Sequence, residues 1–272
     1  MILNVKDDFD LKMIAESGQC FRWEETGKNS YRILHSSFCL IIERTGRKEY
    51  ALDCTEKEYG RIWRPYLDMD ENYSAIRRRI DAGKDPFLKA ASNAERGIRI
   101  LRQDPWETLI SFIISQNRNI PAIKNSINML ASMAGRRKKD SRGNPYHTFP
   151  TPEALSRLTF DDLKECHLGY RADYVHKAAC AVASGGFSLR ALEKMSDGEA
   201  LDALTSLKGV GPKVASCMML FGLHRLDSFP VDVWMKKILA NEYPDGYPLK
   251  DYSPFNGVYQ QYMFAYYRGA GR

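Results

Sequence analysis

Short β-rich segments occupy the first part of the chain. Apolar residues make up most of positions 31–34 and all of 38–42, and Ser36 and Ser37 lie between the two segments. Segments of this length that are bounded by turn residues are typical of consecutive antiparallel strands. We therefore predict that residues 1–85 form a domain with an antiparallel sheet and flanking helices.

From residue 86 onward the apolar period is that of helices. Apolar side chains recur three or four positions apart, as at Ile123, Ile127 and Leu130. We predict that residues 86–272 form a mainly α-helical domain, which makes the fold class α+β. A polar insert at 135–145 interrupts the helical pattern with five basic residues, and we predict a solvated loop there.

A glycine-rich turn at 207–213 has the sequence Leu-Lys-Gly-Val-Gly-Pro-Lys and predicts a helix-hairpin-helix at about 200–223. Gly209 and Gly211 carry no side chains, so they and Val210 between them can bring backbone N–H groups close to a phosphate. The proline that follows suits the first position of a helix. The turn is therefore a candidate for gripping a nucleic-acid backbone.

Lys213 and Asp232 are the candidate catalytic residues. Lys213 falls in the first turn of the second hairpin helix, where the positive end of the helix dipole disfavours an ammonium ion, and a neutral amine is a nucleophile. Cys217 lies four residues later on the same helix face and places an apolar wall beside the amine. Asp232 ends a Pro-Val-Asp segment at 230–232 and supplies a carboxylate.

Composition and charge limit the class of protein. The net charge of +6 favours an anionic partner without identifying it. No stretch of about 18 apolar residues is present to span a membrane, and the start of the chain carries carboxylates in place of a signal-peptide core. We therefore expect a cytoplasmic protein without membrane association. The six cysteines are scattered, with no C-x-x-C pair, and indicate neither zinc nor disulfides.

The chain resembles the 8-oxoguanine DNA glycosylases of the helix-hairpin-helix superfamily. The turn, Lys213 and the 230–232 segment are similar to that superfamily, and four further segments resemble the 8-oxoguanine branch: 17–23, 101–105, 115–120 and 168–171. The resemblance extends from Gly18 to about Phe264. Other branches carry a four-cysteine iron–sulfur loop after the aspartate, whereas no cysteine follows Cys217 here. We therefore expect no iron–sulfur cluster, no metal and no cofactor.

The resemblance implies a bifunctional enzyme that acts on double-stranded DNA containing oxidised guanine. Lys213 would attack C1′ of the extruded nucleotide and form an imine as the N-glycosidic bond breaks, and β-elimination would then nick the strand. Asp232, held as the N-cap of the next helix, would stabilise the cationic sugar in the transition state. We expect the enzyme to act as a monomer.

The same resemblance implies a pocket for the flipped base. The carbonyl of Gly18 would accept a hydrogen bond from N7–H, a proton that 8-oxoguanine has and guanine lacks. Gln260 and Phe264, four residues apart on one helix face, would hydrogen-bond the Watson–Crick edge of the base and stack on its ring. Cys217 would contact the base from the opposite side.

Three further residues match positions that hold the duplex open in this family. Asn117 and Tyr170 would fill the gap left by the base and wedge beside its partner, and Arg171 would contact the partner cytosine. The chain departs from the eukaryotic relatives at Ala122, where they carry a second cytosine-reading arginine, and this predicts weaker dependence on the opposite base. Trp234 replaces a histidine of those relatives that touches a phosphate.

Two other functions remain compatible with parts of the pattern. A monofunctional glycosylase for alkylated bases uses the aspartate without the lysine, and its product strand is not nicked. A non-catalytic helix-hairpin-helix module uses the hairpin only as a clamp on DNA. Binding without excision would indicate that second alternative.

Overall fold

The computed structural model describes residues 1–270, and its N-terminal part contains the predicted antiparallel sheet. Five strands lie in the order β1-β5-β4-β3-β2, and every neighbouring pair is antiparallel. They are β1 Ile2–Asn4, β2 Trp23–Gly27, β3 Ser30–His35, β4 Phe38–Arg44 and β5 Glu49–Leu52. The two segments predicted as strands are β3 and β4, which pair with Ile33 opposite Leu40.

Short helices flank this sheet, as predicted. Two of them begin at polar N-caps, Asp10 and Thr55, whose side chains accept backbone N–H groups of the first turn. The helices are α1 Leu11–Glu16, α2 Glu56–Glu58, α3 Arg64–Tyr66 and α4 Tyr73–Arg78, with a π-helical turn at Tyr59–Trp63. Apolar side chains of the sheet and of these helices, including Ile33, Leu40 and Trp63, form one core.

The rest of the chain is mainly helical, which confirms the α+β class. Its helices are α5 Pro86–Ala94, α6 Pro105–Ser115, α7 Ile120–Ala134, α8 Pro152–Ser156, α9 Phe160–Glu165, α10 Arg171–Ala183, α11 Leu189–Leu192, α12 Asp197–Thr205, α13 Pro212–Cys217, α14 Val233–Glu242, α15 Leu249–Tyr252 and α16 Asn256–Ala270. A π-helical turn, Met218–Gly222, continues α13. A second core surrounds α6 and also includes Tyr73 and Ile76 of α4. Because this core contains residues from before position 85, the domain boundary at residue 85 stays a prediction.

The insert at 135–145 differs from the predicted loop. Two short strands, β6 Arg137–Lys139 and β7 Pro145–His147, pair antiparallel with exposed basic side chains on β6. The turn between them is built on Asp140, whose Oδ1 accepts N–H groups at 2.8 and 3.0 Å. Its Oδ2 lies 3.4 Å from the guanidinium of Arg32 on β3. The buried carboxylate of Asp140, paired with a distant strand, thus orders a segment whose local composition indicates only solvation.

A helix needs about 20 mainly apolar residues to span a bilayer. Among the helices of residues 1–270, none combines that length with that apolar character.

Candidate active site

The predicted hairpin joins α12 to α13 through a turn that requires glycine. Gly209 has a φ of +84°, and a Cβ at this position would overlap the ring of Tyr174. The carbonyl of Gly209 accepts a hydrogen bond from Nε2 of Gln116 at 3.0 Å. Gly211 is the exposed N-cap of α13 and supplies no side-chain cap. The first N–H groups of α13 are therefore open to an external acceptor such as a phosphate.

Lys213 lies in the first turn of α13 and is half-buried. Its Nζ is 5.0 Å from the centroid of the Phe112 ring and 3.4 Å from Oγ of Ser115. Both contacts come from α6, which is the most completely buried helix of the site. The apolar ring and the weak hydroxyl contact leave the amine without a carboxylate partner within residues 1–270.

Cys217 links the two candidate catalytic residues. Its side chain is buried, with 3% exposed, and burial raises the pKa of the thiol. The charge of Lys213 opposes this shift in the pKa of Cys217, and that of Asp232 adds to it. The thiol therefore lies within electrostatic range of both groups, and Lys213 and Cys217 are one turn apart on α13.

Asp232 is the N-cap of α14. Its Oδ1 accepts both the backbone N–H of Trp234 at 3.0 Å and that of Met235 at 2.9 Å. Because one oxygen takes both bonds, Oδ2 has no hydrogen-bond partner within residues 1–270. The cap fixes the carboxylate at the start of the helix and leaves one oxygen available for a positive charge.

Gly18 and Phe264, which are 246 residues apart in the sequence, are neighbours in space. A Cβ at Gly18 would lie 3.2 Å from Cε1 of Phe264, and the glycine has a φ of +82°. Phe264 is partly exposed, and the guanidinium of Arg268 lies 5.1 Å from its ring centroid. Gln260, one helical turn earlier on α16, is 3% exposed, and its Oε1 accepts Nε2 of Gln261 at 3.0 Å. The structure therefore brings Gly18 to Phe264, and Gln260 lies one turn from Phe264 on α16.

The loop that carries Gly18 is fixed by a buried amide network. Nε2 of Gln19 donates to the carbonyl of Arg99 at 2.8 Å, and its Oε1 accepts the N–H of Leu101 at 2.8 Å. Nε2 of Gln103 in turn donates to the carbonyl of Gln19 at 2.7 Å. Two of the segments that carried the resemblance, 17–23 and 101–105, are therefore joined by hydrogen bonds. Sequence reasoning assigned no role to Gln19 or Gln103, because their partners lie about 80 residues away in the chain.

Asn117 and Tyr170 meet at the surface. Nδ2 of Asn117 donates to the Tyr170 hydroxyl at 3.3 Å, the asparagine has a φ of +51°, and 53% of Tyr170 is exposed. Arg171 differs, because its guanidinium is buried, lies 4.4 Å from the Tyr170 ring centroid and donates to the carbonyl of Gln116, through Nε at 2.8 Å. Arg171 thus packs against Tyr170 and binds the backbone next to Asn117. Its contact with cytosine stays a prediction.

Comparison with known proteins agrees with this geometry. The model of the 8-oxoguanine DNA glycosylase N-terminal domain matches residues 1–109, and that of the HhH-GPD superfamily of base excision DNA repair proteins matches residues 110–244. The chain belongs to the 8-oxoguanine DNA glycosylase family.

Its relatives match most or all of this chain. The yeast Saccharomyces cerevisiae N-glycosylase/DNA lyase is 34% identical over 263 residues, which cover 88% of this chain and 69% of the yeast protein. The Clostridium acetobutylicum 8-oxoguanine glycosylase/lyase, solved with double-stranded DNA containing cytosine opposite 8-oxoguanine, is 34% identical with a TM-score of 0.90 over 100% of this chain and 99% of that chain. MBOgg1, solved with a low-affinity DNA ligand, is 38% identical with a TM-score of 0.94 over 100% and 96%.

The two residues at which the resemblance predicts a departure from the eukaryotic members both lie in the first turn of a helix. Ala122 lies in the first turn of α7, where its N–H donates to Oδ1 of the N-cap Asn119 at 2.9 Å. Trp234 lies in the first turn of α14, and its ring contacts the ring of Tyr267 edge to face, with centroids 6.4 Å apart.

The site residues combine two chemical capabilities. The half-buried amine of Lys213 and the capped carboxylate of Asp232 suit attack on an electrophilic carbon that becomes cationic. A glycine loop beside an aromatic ring suits a planar heterocycle. Within residues 1–270 no group of three or more histidine, cysteine or carboxylate side chains is arranged to hold a metal ion.

Proposed function

We propose that this protein is a monomeric, bifunctional glycosylase that removes 8-oxoguanine from duplex DNA and then cleaves the strand at the abasic site. The observation that carries the proposal is the half-buried amine of Lys213 over the Phe112 ring, without a carboxylate partner within residues 1–270. The carboxylate of Asp232, fixed at the start of α14, and the closeness of Gly18 to Phe264 agree with it. Membership of the family and the lyase activity named for its relatives support it.

The first step is substitution at C1′ of the extruded nucleotide. The lone pair of Lys213 Nζ forms a bond to C1′, the bond from C1′ to N9 breaks, and the base leaves with that electron pair and takes up a proton. Positive charge develops on C1′ and O4′ as the bond breaks. The carboxylate of Asp232, anchored through Oδ1, stabilises that charge without moving.

Strand cleavage follows from the same lysine. The C1′–O4′ bond opens as Nζ loses its proton and O4′ gains one, which leaves an imine between Nζ and C1′. The imine acidifies the proton on C2′, and loss of that proton expels the 3′-phosphate by β-elimination. Water then hydrolyses the imine and regenerates the amine of Lys213.

Selection of the damaged base is proposed to rest on Gly18. In 8-oxoguanine N7 carries a hydrogen that a carbonyl can accept, whereas N7 of guanine is itself an acceptor. A carbonyl that faces guanine N7 is left unpaired, at a cost of about 1–3 kcal/mol. The network of Gln19 and Gln103 holds the loop in place, so the carbonyl does not turn away from the wrong base.

Excision and nicking of end-labelled duplexes test the proposal. We expect the protein to excise 8-oxoguanine and to leave a nicked strand before any alkali treatment, and to leave a matched guanine duplex intact. Excision of 3-methyladenine without nicking would favour the monofunctional alkylated-base alternative. Binding of every duplex without excision, unchanged by Asp232→Asn, would favour the non-catalytic clamp.

A further inference from the structure

An exposed aromatic side chain lies directly beside the candidate carboxylate. Trp234 follows Asp232 by two residues and is 39% exposed, in the first turn of α14. Nζ of Lys237, three residues further along the same helix, lies 5.1 Å from the centroid of the Trp234 ring. An ammonium ion at this distance from an indole face is attracted by the ring quadrupole. This attraction favours the position of the Lys237 ammonium over the indole ring.

The indole is itself fixed by a second helix. Its ring meets that of Tyr267 on α16 at 66°, with centroids 6.4 Å apart, and Nδ2 of Asn241 donates to the Tyr267 hydroxyl at 3.1 Å. The ring of Trp234 thus packs against α16 on one side and is exposed to solvent on another. Its other neighbour is the ammonium group of Lys237.

The charge of Lys237 is not neutralised by the protein. No carboxylate within residues 1–270 lies within ion-pair distance of its Nζ, and the first turn of α14 contains no acidic residue. Lys208 of the hairpin differs, because its Nζ lies 3.0 Å from Asp173, which also binds Lys177 at 2.9 Å. Lys237 therefore offers an uncommitted cation in the second turn of α14, whose positive dipole end lies at the N-cap Asp232.

The proposed reaction brings the DNA backbone close to α14. In that reaction C1′ of the extruded nucleotide lies between Lys213 and Asp232, and the phosphates on both sides of that nucleotide are bonded to the same sugar. Because Asp232 is the N-cap of α14, the start of this helix is then close to those phosphates. We propose that Lys237, positioned by Trp234, binds a backbone phosphodiester next to the extruded nucleotide, an inference that rests on the proposed function.

Binding to an uncleavable duplex tests this separately from catalysis. The probe is a duplex with one tetrahydrofuran abasic analogue, which lacks the base and the leaving group at C1′, and its Kd is measured over a series of salt concentrations. Each phosphate contact contributes about 0.9 to the slope of log Kd against log salt. We expect Lys237→Gln to lower that slope by about 0.9 and to raise Kd about tenfold at low salt.

Lys236→Gln is the matched control, since Lys236 is an exposed neighbour on α14 with no aromatic contact within residues 1–270. We expect its slope to change by less than half as much. Trp234→Leu should raise Kd several-fold in the wild-type background and not at all in the Lys237→Gln background, while Trp234→Phe keeps most of the affinity.

Three results would overturn the inference: equal slopes for the two lysine variants, independent effects of Trp234→Leu and Lys237→Gln, or no loss with Trp234→Leu. Failure of the proposed function gives a different pattern, in which wild-type protein binds the probe and leaves 8-oxoguanine duplexes intact.

Discussion

Gly18 lies so close to Phe264 that a single added methyl group would stand 3.2 Å from Cε1 of the ring. The contact joins the loop after α1 to the last helix of the fold. Because one residue offers a backbone carbonyl and the other an aromatic face, a planar base that stacks on Phe264 is also within reach of the Gly18 loop. The first prediction depends on this contact.

Gly18→Ala is expected to lower the excision rate of 8-oxoguanine by about 10- to 100-fold, because the methyl group strains a φ of +82° and crowds Phe264. Affinity for undamaged DNA should change little. Single-turnover excision and a binding titration measure the two effects.

Gly185→Ala is the control for this variant. Gly185 has a φ of +76°, and a Cβ there would meet no atom within 4 Å, so it carries the backbone strain without the crowding. If Gly185→Ala slows excision as much as Gly18→Ala does, the loss reflects stability and the role of the Gly18 contact is refuted.

Asp232 has two separable roles, charge and helix capping. Asparagine caps a helix as well as aspartate does, so Asp232→Asn should keep the melting temperature and slow excision by about 100- to 1,000-fold. Asp232→Ala should slow excision equally and also lose about 1 kcal/mol of stability, a fall of about 2–4 °C in Tm. Normal excision by Asp232→Asn would show that the charge is not needed.

Ala122 predicts a weak dependence on the base opposite the lesion. Rates of excision opposite cytosine and adenine should differ little in the wild type, and Ala122→Arg should increase their ratio by about tenfold or more, since a bidentate arginine contact contributes about 1–3 kcal/mol of discrimination. Asn125→Arg adds the same charge at an exposed position one turn further along α7. An equal ratio for the two variants would mean that charge alone explains the gain.

The mostly buried carboxyl group of Glu107, between the sheet and α6, should make the free energy of unfolding depend on pH. Burial raises the pKa of Glu107 from 4.5 to about 7, although Arg22, 3.5 Å away, and the N–H of Ser36 oppose the shift. Because the folded state binds the proton more tightly, this stabilisation is complete below about pH 4.5 and is lost as the pH rises through about 7.

Glu107→Gln imitates the protonated side chain and removes that dependence. Relative to the wild type, the variant should gain up to about 3 kcal/mol in free energy of unfolding between pH 4.5 and 8. Urea unfolding at a series of pH values measures the difference, and a difference that stays constant over this range would contradict the raised pKa.

Local pattern was sufficient for the strand pair β3–β4 and for the hairpin turn. The strand pair follows from short β-rich runs between turn residues, and the turn follows from the glycines at 209 and 211. The contact with Tyr174 that excludes a side chain at Gly209 is with a residue 35 positions away, so it required the structure. The capping of α14 by Asp232 was likewise readable from the sequence, because it involves only residues two and three positions away.

Long-range partners were not readable in this way. The burial of Arg171 against the carbonyl of Gln116 and the ordering of the 135–145 insert by Arg32 and Asp140 depend on elements far apart in the chain. Gly18 and Phe264 were paired only through the family resemblance, since no local period connects residues 246 positions apart. Interactions between distant segments therefore required the structure.

Trapping by sodium borohydride tests the central claim most directly, because borohydride reduces an imine between Lys213 and the sugar to a permanent bond. With an 8-oxoguanine duplex, the wild type and Lys208→Gln should form a covalent complex, Lys208 being an exposed hairpin lysine that is paired with Asp173. Lys213→Gln should form none. A complex formed by Lys213→Gln at the wild-type level would contradict the account.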